Sequence, residues 1–179
     1  RRHVLQPFRL PDHWIRFRSG DWGSAKPYSF GWWAVVQDDY PVLEGASRGR
    51  ILPRGALVRY RELYGASAPD VGLKQPAEQV ARLIKAHDAD DEISYSVLDP
   101  AAFAVVSGPS IAEVFSRHGV YMRRADNSRA STTKKMGGWD QVRARLRGDP
   151  DGEPQIYIFE NCRALIRTLP MLQHDETHP

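Results

Sequence analysis

Residues Arg18–Gly23 read RSGDWG, and they follow HWIRF at 13–17, a run that alternates polar and apolar like a strand. A carboxylate, a large aromatic and two glycines stand where a strand should be crossing a core. Two readings follow. Asp-Trp-Gly is a turn former, because Asp can hydrogen-bond its own backbone and Gly adopts backbone angles closed to other residues. Alternatively, the strand ends here in order to deliver its acid to an ion. Counting parity back from Asp21 places it on the side of Ile15 and Phe17 unless a bulge intervenes, which predicts a carboxylate near a covered face.

Working outward, SFGWWAVVQDD and ALVRYRELYG are two further runs rich in aromatic and β-branched residues, separated by Gly and Pro clusters. Such neighbours pair antiparallel. The connector from Tyr40 to Gly55 is too long for a tight hairpin turn and is basic, which predicts a solvated loop. Of Trp32 and Trp33, at least one is expected in the core. The period then changes. In KQPAEQVARLIKAHD, Ala77, Val80, Leu83 and Ile84 share one face of a helix with Pro76 at its start. EISYSVLDP then reads as a strand buried on both faces. PSIAEVFSRHG carries a capping-box pattern, Ser110 with Glu113, and a Gly119 stop. VYMRRA and QIYIFE read as strands, and WDQVRARLRG and CRALIRTL as helices. The expected fold is α/β: a mixed sheet of five to six strands, its first three antiparallel at one side, followed by alternating helix and strand, with helices on both faces.

The 179 residues, 41% of them hydrophobic, suit a single domain over 1–179. No run of eighteen apolar residues and no charged-then-apolar leader occurs, so neither a membrane span nor a secretory signal is expected, and an intracellular protein is. Cys162 has no partner for a disulfide or a zinc site and reads as a small core residue. The chain begins with Arg1 and closes on QHDETHP, which reads as a piece of something longer. A formal charge of +3 is too mild to imply nucleic acid, but its distribution is uneven. Between 123 and 147 stand Arg123, Arg124, Arg129, Lys134, Lys135, Arg143, Arg145 and Arg147 against Asp126 and Asp140.

Asp99, in VLDP, ends the first strand after the antiparallel trio, with Pro100 forcing a turn. Two acids thus end two strands that could be neighbours about 4.8 Å apart, close enough to share a divalent ion. Spacing alone leaves turn and ligand open; their joint position at strand ends, where open α/β sheets place ligands, favours the ligand. Glu62 in YRELYG could support such a site from the third strand or lie on the surface. His174 and His178 fall in a polar tail and read as solvated. The loop RRADNSRASTTKKMGGW is polar with basic residues at both ends, as phosphate contacts without base readout require.

GDWG with KPYSFGWWAV, YRELYG, VLDPAAF, GPSIAEVF, GGWDQVRARL and IYIFENCRALIRTLPML, in this order, resemble the nuclease domain of the large terminase subunit of tailed bacteriophages and prophages, a ribonuclease H-like fold. The resemblance spans nearly the whole chain. It implies a DNA endonuclease that cuts concatemeric phage DNA at the start and end of packaging in the host bacterial cytoplasm. It implies catalytic, metal-ligating roles for Asp21 and Asp99 around two Mg²⁺ or Mn²⁺ ions about 3.5–4 Å apart. Read from the charge of the loop RRADNSRASTTKKMGGW alone, Arg123, Arg124, Arg129, Lys134 and Lys135 are the residues expected to hold a duplex; the resemblance adds portal protein and small terminase subunit as partners. Residues 1–12 would be a linker from an ATPase domain; no GxxxxGK[ST] loop occurs in the chain. The third acid of the family, in an EDHxxDALRY-type helix, does not occur before Pro179, and a segment beyond Pro179 is expected to carry it. A resolvase or transposase core is an alternative that GGWDQVRARL argues against, and a docking module without cleavage is another.

Overall fold

Seven residues of β2 (Ile15–Asp21) pair in unbroken register with β3 (Tyr28–Val35), from Ile15 opposite Val35 to Asp21 opposite Ser29, so no bulge disturbs the parity of Asp21. The coordinates are a computed structural model that describes residues 2–127, 136–148, 150 and 152–172. Ahead of β2 lies β1 (Val4–Leu5). After β3 come a small hairpin, β4 (Tyr40–Pro41) and β5 (Ile51–Leu52), then β6 (Leu57–Ala68) and β7 (Val71–Gly72). Helix and strand then alternate as α1 (Ala77–Asp88), β8 (Tyr95–Leu98), α2 (Ile111–Arg117), β9 (Arg123–Arg124), α3 (Gly138–Arg147), β10 (Ile156–Phe159) and α4 (Arg163–Thr168).

The main sheet runs β1-β10-β6-β3-β2-β8-β9, with β7 added to β6. The expected mixed sheet is present, with the short strands β1 and β7 beyond the anticipated five or six. The antiparallel trio β2, β3 and β6 lies in its centre rather than at one side, because β8 adds parallel to β2 and β10 adds parallel to β6. Each helix that returns the chain over the sheet lets the next strand enter on either flank, and strand periodicity carries no information about which.

Part of the stretch 1–12 packs into the domain. Val4 and Leu5 pair with Ile158 and Phe159, and Leu5 and Leu10 are buried in the core. Too few apolar residues lie in this stretch to announce a strand, but an edge next to β10 offers unpaired backbone groups that two residues satisfy. In the connector 40–55, Val42 and Leu52 are likewise buried, so only its outer surface is solvated. Strand β8 is fully buried on one face, at Ser96 and Leu98, and half-buried on the other.

One face of the sheet receives α1 and α2. Val80, Ala81 and Ile84 of α1 are buried together with Phe30 and Trp32 of β3, and Phe115 of α2 packs 5.8 Å from the Phe30 ring. Under this layer Arg18 donates to both carboxylate oxygens of Asp88 at 3.0 Å and to Ser96 at 2.9 Å, while Trp32 Nε1 donates to Asp88 at 2.9 Å. Burial lowers the Arg18 pKa against the opposing pull of Asp88, so the pair stands in a dry setting. Cys162 is wholly buried, and burial, with Glu62 nearby, pushes its thiol up to about 12, which keeps it unreactive.

Helix α2 starts on the expected capping box: Ser110 Oγ accepts from Glu113 N at 3.2 Å and Glu113 Oε2 accepts from Ser110 N at 2.7 Å. Ser110→Ala is expected to cost about 1 kcal/mol, seen as a fall of roughly 2–4 °C in the thermal midpoint. An unchanged midpoint would show that α2 is held by packing alone.

Candidate active site

Within RSGDWG each residue has a side assigned by the pleat. Arg18 turns to Asp88 beneath α1, Gly20 leaves room for the Phe30 ring, and Trp22 packs edge-on to Phe115 with ring centroids 5.8 Å apart. A methyl on Gly20 would collide with Phe30, and one on Gly23 would collide with the Lys26 and Pro27 backbone. Ser19 and Asp21 face the other way. The stretch is therefore both things asked of it, a strand end and a turn, and the strand end presents the acid.

Asp99 directly follows β8, and its backbone N–H donates to Gly20 O at 3.0 Å, which continues the parallel pairing of β2 with β8 to the acids themselves. Its Oδ1 accepts from Ala101 N at 2.8 Å, capping a short 3-10 turn, Pro100–Phe103, and fixing the carboxylate. The two aspartates thus come together at adjacent strand ends. Asp21 lies on the open rim, yet its pKa is raised, first by the desolvation of its surroundings and then by the Asp99 charge. Repulsion between two carboxylates at one rim is the signature of a place where a cation would be welcome. Among the described residues no group of three or more His, Cys, Asp or Glu forms a metal cluster, so the two acids stand as a pair.

The face that carries Asp21 differs from the covered one expected for it. A row of flat side chains crosses it strand by strand: Arg59 over Trp33 at 5.2 Å, Trp33 to Phe17 at 6.2 Å, Phe17 to Tyr95 at 4.9 Å, and Tyr95 to Arg123 at 4.7 Å. Trp33 Nε1 donates to Ser19 Oγ at 2.9 Å, locking the row to β2 two residues before Asp21. These rings are half-buried and Ile15 is exposed, so the face is partly open. The row was missed from sequence; equal parity of Phe17, Trp33 and Tyr95 was its signal, but it becomes meaningful only once strand order and register are known.

Glu62 is on this same face. Both its oxygens accept from α4, Ala164 N at 2.6 Å and Leu165 N at 3.1 Å, which satisfies the unpaired donors that open that helix. Arg123 and Arg124 form the exposed edge strand β9, beside Asp99, with the Arg124 guanidinium 4.7 Å over Phe103 and donating to Pro100 O at 3.2 Å. Arg129, Lys134 and Lys135 lie outside the described residues, as do His174, Asp175, Glu176 and His178. No helix among the described residues is long and apolar enough to cross a membrane.

No protein-family model and no curated protein matches this sequence. Solved structures do. The large terminase of a thermophilic bacteriophage, bound to ATP-γ-S, superposes with a TM-score of 0.67 at 16% identity, over 98% of this chain and 36% of that one. The same terminase with ADP gives 0.66 at 15%, again over 98% and 36%. The nuclease domain of the phage P22 large terminase gives 0.62 at 13%, over 97% of this chain and 76% of that one. The chain thus spans about a third of the thermophilic phage protein and three quarters of the P22 domain. With its central mixed sheet, its flanking helices and this superposition along nearly its full length, the chain carries the ribonuclease H-like fold of the large-terminase nuclease domain.

Proposed function

We propose that this domain is a metal-dependent endonuclease that cuts duplex DNA in a viral packaging motor, with Asp21 and Asp99 as its catalytic acids. The observation that carries the reading is the meeting of these two carboxylates at neighbouring parallel strand ends of a nuclease fold, where their charges repel. Both offer hard oxygen donors, which suits Mg²⁺ or Mn²⁺ and disfavours softer metals. Asp21 and Asp99 would hold such ions, one Asp99 oxygen being oriented by Ala101 N. When bound, two such ions polarise water and offset the charge that develops on the leaving 3′-oxygen.

The chain's own residues do the rest. The ring row and the Gly20–Asp99 backbone bond hold the two acids in fixed relation, so that little reorganisation is needed when substrate arrives. Arg123 and Arg124 supply positive charge next to the acids without any base-reading geometry, as a cutter tolerant of sequence requires. Arg129, Lys134 and Lys135 follow them in the sequence and would add to that charge. Concatemeric phage DNA as substrate, the portal protein and small terminase subunit as partners, and the host bacterial cytoplasm as location accompany this reading by analogy of fold.

Supercoiled plasmid incubated with the protein and Mn²⁺ is expected to be nicked and linearised, and with EDTA to stay supercoiled. Cutting that survives EDTA, or no cutting in either, would overturn the proposal.

A further inference from the structure

The loop that joins the Pro100–Phe103 turn to α2 carries Val105 and Val106, 69% and 93% exposed, on an otherwise small-residue stretch, AVVSG. Single exposed apolar residues are common on proteins, but these two are adjacent, and the loop is braced at both feet. At one foot Asp99 caps the turn and Arg124 clamps it through Phe103 and Pro100 O. At the other, the Ser110–Glu113 capping box holds the start of α2. Gly108, at φ +78°, turns the chain back between them. The valines are thus held out in water by a rigid base whose first residue is one of the two candidate catalytic acids.

The charge around them selects the occupant. Arg123 and Arg124 flank the base of the loop and are exposed. A ligand that presents anionic groups to guanidinia and an apolar interior to the valines, within reach of Asp99, is duplex DNA entered from a groove. Valine cannot hydrogen-bond base edges, which suits the minor groove, where sequence information is sparse and apolar side chains pry base steps apart. Resting on the nuclease reading above, we propose that Val105 and Val106 form an apolar wedge that enters the minor groove beside the scissile phosphate and loosens the adjacent base step. Loosening there would let the backbone bend toward the acids, at a deformation energy that the new contacts offset.

The test uses a short duplex carrying 2-aminopurine at its adenine positions, with Ca²⁺ in place of Mn²⁺ so that DNA is bound and not cut. Wild-type protein is expected to raise the fluorescence, reporting unstacking, and the minor-groove ligand distamycin is expected to compete. The Val105→Ser/Val106→Ser double variant is expected to bind roughly tenfold more weakly, the loss of about 1.4 kcal/mol of apolar contact, and to give no fluorescence rise. Its thermal midpoint is expected to be unchanged, since both side chains are already in water. A variant with wild-type affinity and signal overturns the wedge and leaves the two valines to a protein partner, while Mn²⁺-dependent nicking by the wild type would show the nuclease reading intact. A wild type that neither binds nor cuts DNA overturns both.

Discussion

Asp21→Asn and Asp99→Asn are each expected to abolish Mn²⁺-dependent nicking while leaving the metal-free protein as stable as the wild type or more so. Replacing partners that merely orient metal ligands typically costs 10–100-fold, so loss of a ligand is expected to exceed about 100-fold. The stability arm has a definite sign. The Asp21 pKa is raised in the folded chain by desolvation and by Asp99, so the folded state binds its proton more tightly than the unfolded state does. Its ionisation therefore works against the fold at neutral pH, and stability from this group grows as pH falls through the folded pKa, opposite to a salt-bridged aspartate. An amide at position 21 removes that term. In metal-free buffer at neutral pH the Asn variants should melt at or above the wild-type temperature, and added Mn²⁺ should raise the midpoint of the wild type alone. Wild-type nicking rates in either variant would end the assignment. A large drop in midpoint would instead make the acids structural.

Asp88→Ala is expected to be the most damaging single change to stability, at about 3–5 kcal/mol, because it leaves the Arg18 charge buried without its partner. Arg18 and Asp88 are 5% and 6% exposed, so water cannot take over the lost interactions, and Trp32 Nε1 loses its acceptor too. For a chain of this length the change corresponds to roughly 10 °C in thermal midpoint. The double variant Arg18→Met/Asp88→Leu is expected to recover much of the loss, since apolar side chains of similar volume can replace a buried pair at little net cost. Because Arg18 lies three residues before Asp21 on the same strand, the double variant also asks whether the acid needs the ion pair or only a packed strand beneath it. An Asp88→Ala protein as stable as the wild type would show that Arg18 escapes to solvent.

Helix α1, the capping box of α2, the central strands and the burial of one of Trp32 and Trp33 were legible in the sequence because each is written in local chemistry. Ala77, Val80 and Ile84 repeat at the helical period, Ser110 and Glu113 sit three apart, and β2 alternates around Arg18. The two acids were legible as strand-end residues for the same reason, with Pro100 marking one end and Gly23 the other. The metal-ligand role expected of them rested on their joint position at strand ends and on the resemblance, since Asp-Trp-Gly and Asp-Pro taken singly serve equally as turns.

Tertiary structure alone decided which strands became neighbours, and with that everything that depends on side chains meeting from distant parts of the chain. Local sequence could not place β10 beside β6, recruit Val4 and Leu5 to the sheet edge, or align Arg59, Trp33, Phe17, Tyr95 and Arg123 across five strands. Nor could it show that both oxygens of Glu62 are taken by the start of α4, a hundred residues later in the chain. Propensity, pattern and capping act over a few residues and are read from a few residues. Pairing is chosen by burial and backbone hydrogen bonds summed over the whole sheet, so Asp21 and Asp99 became one site only when the crossover through α1 laid β8 against β2.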